Sequence, residues 1–206
     1  MLQTRTVSII GSEALQETSD VGQILKSVCE RLAILGFSLR TSGTEGTEMI
    51  ALNAYKEQIE AGVIPPTRVK VFLPWRGFNS VLPYAQCYTT IGPKNYDACS
   101  NFIRSVHPYW AKGTRQTKLL QAKNALIIFG EKLNRPCDLV IAYAEIDPKG
   151  KVIGTASSAI ELAMIQKIPV FNLWDEENLE TNLFELRTLL RNWGYPIVTE
   201  ENVVFM

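Results

Sequence analysis

Between Leu39 and Leu52 the chain reads Leu-Arg-Thr-Ser-Gly-Thr-Glu-Gly-Thr-Glu-Met-Ile-Ala-Leu. Phe37 and Leu39 alternate with Ser38 and Arg40, as along a strand. Gly43 and Gly46 give the following turn backbone freedom, and an apolar-periodic helix opens beyond it. A helix that starts there leaves its first N–H groups without intrahelical partners, with the positive end of its dipole facing the turn. Such a start favours an anion, most often a phosphate, or it is simply a capped turn without a ligand. Thr41, Ser42, Thr44 and Thr47 add hydroxyls. Glu45 and Glu48 stand where a phosphate is expected, so they either cap the helix themselves or accept hydrogen bonds from a ribose or a base.

A second turn of this kind, Ile153-Gly154-Thr155-Ala156-Ser157-Ser158, also precedes a helix, and Gly11-Ser12 closes an earlier β-rich run. In a doubly wound sheet such turns lie along one carboxyl edge and their helix starts can share a crevice. Neither turn ends in Gly-Lys-Ser/Thr, and neither has the G-x-G-x-x-G spacing of dinucleotide folds. The other chemistry-bearing residues are fewer. His107 is the sole histidine, is followed by proline, and has no evident partner, so a structural role is expected. Glu45, Glu48, Asp147 and Glu161 are carboxylates near the expected crevice, but no two of them form a recognisable acid–base pair. Lys118, Lys123 and Lys132 read most simply as a solvated helix face, with Lys123-Asn124 reaching the crevice as the alternative.

The elements that must position these groups alternate. Thr4–Ile10 reads as a strand, Ser19–Leu35 as a helix closed by Gly36, Phe37–Arg40 as a strand, and the next helix runs to Ala61. Val69–Leu73 is a strand stopped by Pro74. Pro74–Asp97, with Trp75, Arg76 and Phe78, is too long for a mere connector, so it reads either as an aromatic-anchored surface loop or as part of a binding site, with Pro74 and Trp75 as the candidates. Helices are expected at Tyr96–Val106 and Arg115–Leu133, and a strand buried on both faces at Asp138–Tyr143. A helix to Gln166, a strand Ile168–Leu173, an amphipathic helix Glu176–Trp193 and an edge strand in the last dozen residues complete the pattern. Strand–helix alternation implies an α/β, Rossmann-like, doubly wound, mostly parallel sheet flanked by helices. Residues 1–206 are expected to form one domain.

Composition bounds the function. The 206 residues carry 21 Lys+Arg against 21 Asp+Glu, a balance that argues against a protein devoted to gripping a nucleic-acid backbone. No stretch is apolar enough to span a membrane, and the N-terminus lacks the pattern of a signal peptide. The four cysteines have no metal-ligand spacing and His107 is the sole histidine, so a structural zinc site is not expected; no cofactor is expected either, and reduced thiols in a cytoplasmic protein fit best.

Taken together, the motifs resemble the DprA-like branch of the SLOG superfamily, in the compact form common in bacteriophage genomes. The resemblance covers roughly Val7 to Leu173. It rests on the order of Arg40-Thr-Ser-Gly-Thr-Glu-Gly-Thr-Glu48, Phe72-Leu-Pro-Trp-Arg-Gly-Phe-Asn79, His107-Pro-Tyr-Trp110, Lys123-Asn124, and Gly154-Thr155 followed by Ala159-Ile160 and Ile168-Pro-Val-Phe-Asn-Leu173. It implies a homo-oligomer that binds a nucleotide-derived small molecule at these turns, and, for a phage protein, sequestration of a host immune signal in the host cytoplasm. Other members of the superfamily load recombinase onto single-stranded DNA or hydrolyse nucleoside monophosphates. For single-stranded DNA, Trp75, Lys112, Arg115 and Lys118 are the candidates. The hydrolase branch requires a glutamate where this chain has Ser158, and the Pro-Gly-Gly before it is missing, which argues against that chemistry. The implied ligand-binding set is Gly11, Ser12, Thr41, Ser42, Gly43, Thr44, Glu45, Gly46, Thr47, Glu48, Pro74, Trp75, Lys123, Asn124, Gly154, Thr155, Ser157 and Ser158, with no catalytic residue assigned.

Overall fold

The computed structural model describes residues 4–79 and 88–196. Six strands are found there: β1 (Thr6–Gly11), β2 (Ser38–Thr41), β3 (Val69–Leu73), β4 (Tyr88–Thr90), β5 (Leu139–Tyr143) and β6 (Val170–Asn172). They pair in parallel throughout, in the order β4-β3-β2-β1-β5-β6. Parallel strands need crossover helices, and these cover both faces of the sheet.

The strand residues divide cleanly by parity. Val7, Ile9, Val69, Val71, Leu73, Leu139 and Ile141 pack against α1 (Asp20–Ile34), α2 (Thr47–Glu60) and α6 (Leu179–Asn192). Ile10, Phe72, Val140 and Ala142 point the opposite way, into α3 (Pro93–Arg104), α4 (Arg115–Phe129) and α5 (Ser157–Ile165). Alternate side chains of a strand face opposite sides, so an apolar residue at nearly every position is what a doubly covered sheet demands. The fold is thus an α/β, Rossmann-like, doubly wound sheet, and its described strands are all parallel.

Chain order reverses between β1 and β5. The strands after β1 step outward through β2, β3 and β4, and β5 then returns to β1's other side. In open α/β sheets the crevice for ligands opens at that reversal, beyond the carboxyl ends of the strands. Gly11 pairs in register with Tyr143, and Ser12 N–H continues the ladder to Tyr143 O at 2.7 Å. The exits of β1 and β5 are therefore level.

Several boundaries differ from expectation. The long loop after Pro74 contains β4, three residues at the edge of the sheet. α3 starts at Pro93, three residues early, with the Asn95 side chain accepting from Gly92 N–H at 2.8 Å. α4 stops at Gly130, whose φ of +76° ends the helix short of Leu133. Arg40 ties that end to β2, donating to Ile128 O at 3.1 Å and Arg135 O at 2.7 Å. The expected edge strand in the last dozen residues lies almost wholly outside the described residues, as does the Ser80–Cys87 part of the long loop. No helix among the described residues is long and apolar enough to cross a membrane.

Candidate functional site

The start of α2 is built against the exit of β1. Thr47 donates both its N–H (3.1 Å) and its hydroxyl (2.9 Å) to Ser12 O, so one of the helix's free donors is already satisfied by backbone. The close fit explains two glycines. A Cβ on Gly11 would lie 2.5 Å from Tyr143 O and 2.6 Å from Thr47 Oγ1, and one on Gly46 would lie 2.5 Å from Ser12 O. Gly46 also adopts φ +69°, a conformation that only glycine enters at little cost.

The rest of this turn folds inward. Thr41 Oγ1 donates to Ile9 O at 3.0 Å. The Ser42 hydroxyl donates to the Glu48 carboxylate and shares a 2.8 Å bond with Thr44. Asn79, from the loop after β3, donates to Gly43 O at 2.6 Å. Thr41, Ser42, Gly43, Thr44, Thr47 and Glu48 are all buried, whereas Glu45 is exposed and Gly46 and Ser12 are half-buried.

Lys123 comes down onto this turn from α4. Its Nζ donates to Ser42 Oγ at 2.7 Å and pairs with Glu48 at 3.7 Å, in side chains 4% and 2% exposed. The solvated-face reading of Lys123 is therefore corrected. Lys132 is exposed, and Lys118 is half-buried with its ammonium 6.0 Å from the Trp110 ring centre, but Lys123 belongs to the interior. A charge of this kind is held inside only when paired and hydrogen-bonded, which Glu48 and Ser42 together provide.

The neighbouring Asn124 serves the second turn. Its Nδ2 donates to Thr155 O at 2.8 Å and to Ser158 Oγ at 2.9 Å. Ser158 in turn donates to Gln121 Oε1 at 2.5 Å. Asn124 Oδ1 is buried with no hydrogen-bond partner. Two adjacent residues of α4 thus hold the two expected turns, Lys123 the first and Asn124 the second. Beyond these buried contacts Gly154 and Thr155 are exposed, and Ser157 is half-buried with its hydroxyl on Gly154 O at 2.8 Å. Asn172 fixes the exit of β5 by exchanging hydrogen bonds with Ala144, 2.9 Å to its N–H and 2.7 Å to its carbonyl.

Pro74 is buried at the end of β3, and Trp75 beyond it is half-buried, its ring edge-on to Phe78 at 5.1 Å. Trp75 lines a shallow depression of about 290 Å³ together with Arg115, Gln116 and Leu119 from the start of α4. Arg115, Leu119 and Lys123 are spaced four apart, so they follow one stripe of α4 from this depression to the buried pair.

Asp147 and Glu161, the other two candidate carboxylates, have local partners. Asp147 accepts from the N–H groups of Lys149 and Lys151, each at 2.9 Å, and Glu161 pairs with Lys151 at 3.4 Å. His107 Nδ1 has no hydrogen-bond partner, and the ring lies edge-on to Trp110. Burial raises the thiols of Cys29, Cys99 and Cys137, Cys99 to about 12 and Cys137 to about 11. The described residues contain no group of three metal-ligating side chains.

Gln121 and Asn79 are the participants that sequence reasoning missed. The signal for Gln121 was present, since it sits three residues before Asn124 at the head of a helix segment that is otherwise apolar apart from Lys123 and Asn124. Asn79 ends the Phe72–Asn79 motif but carried no hint of its contact with Gly43. In comparison with known proteins, no family model matches this chain and no curated protein does.

Proposed function

We propose that the chain binds a nucleotide-derived small molecule at the carboxyl edge of its sheet and holds it without chemical change. The observation that carries this reading is the adjacent pair Lys123 and Asn124, which pins both glycine–hydroxyl turns to one helix at the reversal of strand order. Buried polar contacts keep the turns rigid, while Ser12, Glu45, Gly46, Gly154 and Thr155 remain accessible in part or in full at the rim. Rim backbone can approach a ligand closely, and Glu45 is an acceptor suited to a ribose hydroxyl. Holding rather than hydrolysing is supported by Ser158, which stands where the resemblance puts the hydrolase-branch glutamate and has its hydroxyl bonded to Gln121 and Asn124. In a phage setting, as the DprA-like resemblance implies, the same binding would withdraw a host nucleotide signal.

The test is a thermal-shift panel of nucleoside monophosphates, cyclic dinucleotides and ADP-ribose derivatives, followed by recovery of the bound compound. A ligand present at a hundred times its Kd adds about 2.7 kcal/mol, which raises the midpoint by roughly 5–10 °C for a chain of this size. The compound should be recovered intact. Release of free base refutes the holding function, and the absence of a shift from every compound refutes the site. Single-stranded DNA is the second reading, favoured by Trp75 and Arg115 lining one depression. It predicts retention of an oligonucleotide that weakens steeply with salt.

A further inference from the structure

We propose that the depression between Trp75 and the first turns of α4 seats the planar heteroaromatic ring of the ligand, with Arg115 taking its anionic group. This deepens the crevice reading and rests on it. Trp75 and Leu119 give the depression apolar surface, and Arg115 and Gln116 line it almost wholly through their carbon stems, both side chains being exposed at its edge. An apolar hollow with a few polar groups at its edge is the usual composition of a small-molecule pocket. Trp75 is braced for such a task, since Phe78 sits edge-on to its ring at 5.1 Å and so limits its reorientation.

Size narrows the chemistry. A volume of about 290 Å³ falls at the lower bound of drug-sized pockets, roughly 300–1,000 Å³. The depression therefore accommodates a base ring, and the sugar and further phosphates extend outward along the rim. Arg115 is exposed and has the planar fork that binds phosphate oxygens in pairs. The Arg115–Leu119–Lys123 stripe connects the depression to the helix segment that holds both turns. A ligand with its ring in the depression has to extend about 12 Å along α4, the rise of eight helical residues, to reach the level of the two turns.

The experiment titrates the full chain, Trp75→Leu, Trp75→Phe and Arg115→Gln with AMP, CMP, adenosine, ribose 5-phosphate and an oligothymidylate. The full chain should bind AMP at least about tenfold more tightly than ribose 5-phosphate, the size of one base–aromatic stack. Trp75→Leu should erase that preference and Trp75→Phe should keep most of it, with thermal midpoints showing that each variant is folded. Arg115→Gln should weaken AMP about tenfold and leave adenosine unchanged. If the parent binds AMP and Trp75→Leu and Arg115→Gln bind it equally well, the clamp is wrong while the crevice reading stands. If the parent binds none of the mononucleotides, the clamp is wrong, and if it also binds none of the cyclic dinucleotides and ADP-ribose derivatives, the crevice reading has failed with it. Oligothymidylate bound more tightly than every mononucleotide, and lost in Trp75→Leu, overturns the small-molecule clamp in favour of a strand-binding surface.

Discussion

Replacing Lys123 by methionine isolates the contact on which the geometry of the first turn depends. Methionine is close to lysine in length, so the helix face stays filled while the charge disappears. Glu48 is then left with a side chain 2% exposed and no cation, its remaining partner being the Ser42 hydroxyl. At the observed 3.7 Å and an effective dielectric constant near 20, the lost attraction is about 4.5 kcal/mol. Breaking a buried pair from one side costs roughly 3–5 kcal/mol in practice. Urea unfolding of Lys123→Met should show a loss of that size, with a fall in thermal midpoint of roughly 6–20 °C. The double variant Lys123→Met/Glu48→Gln removes the stranded charge and should recover at least about 2 kcal/mol of the loss. A loss below about 1 kcal/mol in the single variant, or strict additivity in the double, refutes the reasoning that these two groups are a mutually dependent buried pair.

Three other expectations follow from the packing. Gly46→Ala places a Cβ 2.5 Å from Ser12 O at a backbone φ of +69°, so it should cost at least about 2 kcal/mol in urea unfolding; an unchanged midpoint contradicts the close approach of α2 to β1. The buried thiols of Cys29, Cys99 and Cys137 are all raised by desolvation, so in the native protein at pH 8 a thiol reagent should leave these three unmodified and label them only after unfolding. Lys26 is raised above its ordinary 10.5 by hydrogen bonds to Glu57 and then Glu17. A raised lysine stabilises fully below its unfolded value and loses that contribution as pH climbs through the folded one, so the gap between parent and Lys26→Met, below about 1 kcal/mol for so exposed a cluster, should close above pH 10.5.

The fold was readable because burial on both faces leaves a clear pattern: near-continuous apolar strands at Val69–Leu73 and Leu139–Tyr143, Pro74 stopping the first of them, and amphipathic runs between the strands. β4 was not readable, since three residues inside a long loop carry too little periodicity to stand out. The end of α4 was overestimated because Glu131, Lys132 and Leu133 suit a helix well, and only the backbone of Gly130 ends it. Lys123 is the instructive error. α4 is buried from Gln121 through Phe129, so its polar residues do not mark a solvent face, and helical spacing alone cannot separate a solvated lysine from one paired inside. The turns themselves were legible as glycine–hydroxyl units, but the direction of their side chains was not. Glu48 looked like a cap or a ribose acceptor, and it instead turns inward to Ser42 and Lys123. Ser12, Glu45, Gly46, Gly154 and Thr155, by contrast, are half-buried or exposed.

The most direct measurement is mass spectrometry of the small molecules released when the purified chain is denatured by heat. A ligand-holding crevice predicts a phosphorylated, ultraviolet-absorbing compound of nucleotide type, intact and present in up to one copy per chain. Recovery of a free base with its ribose phosphate, or a chain that retains no such compound after incubation with a nucleotide extract, contradicts it.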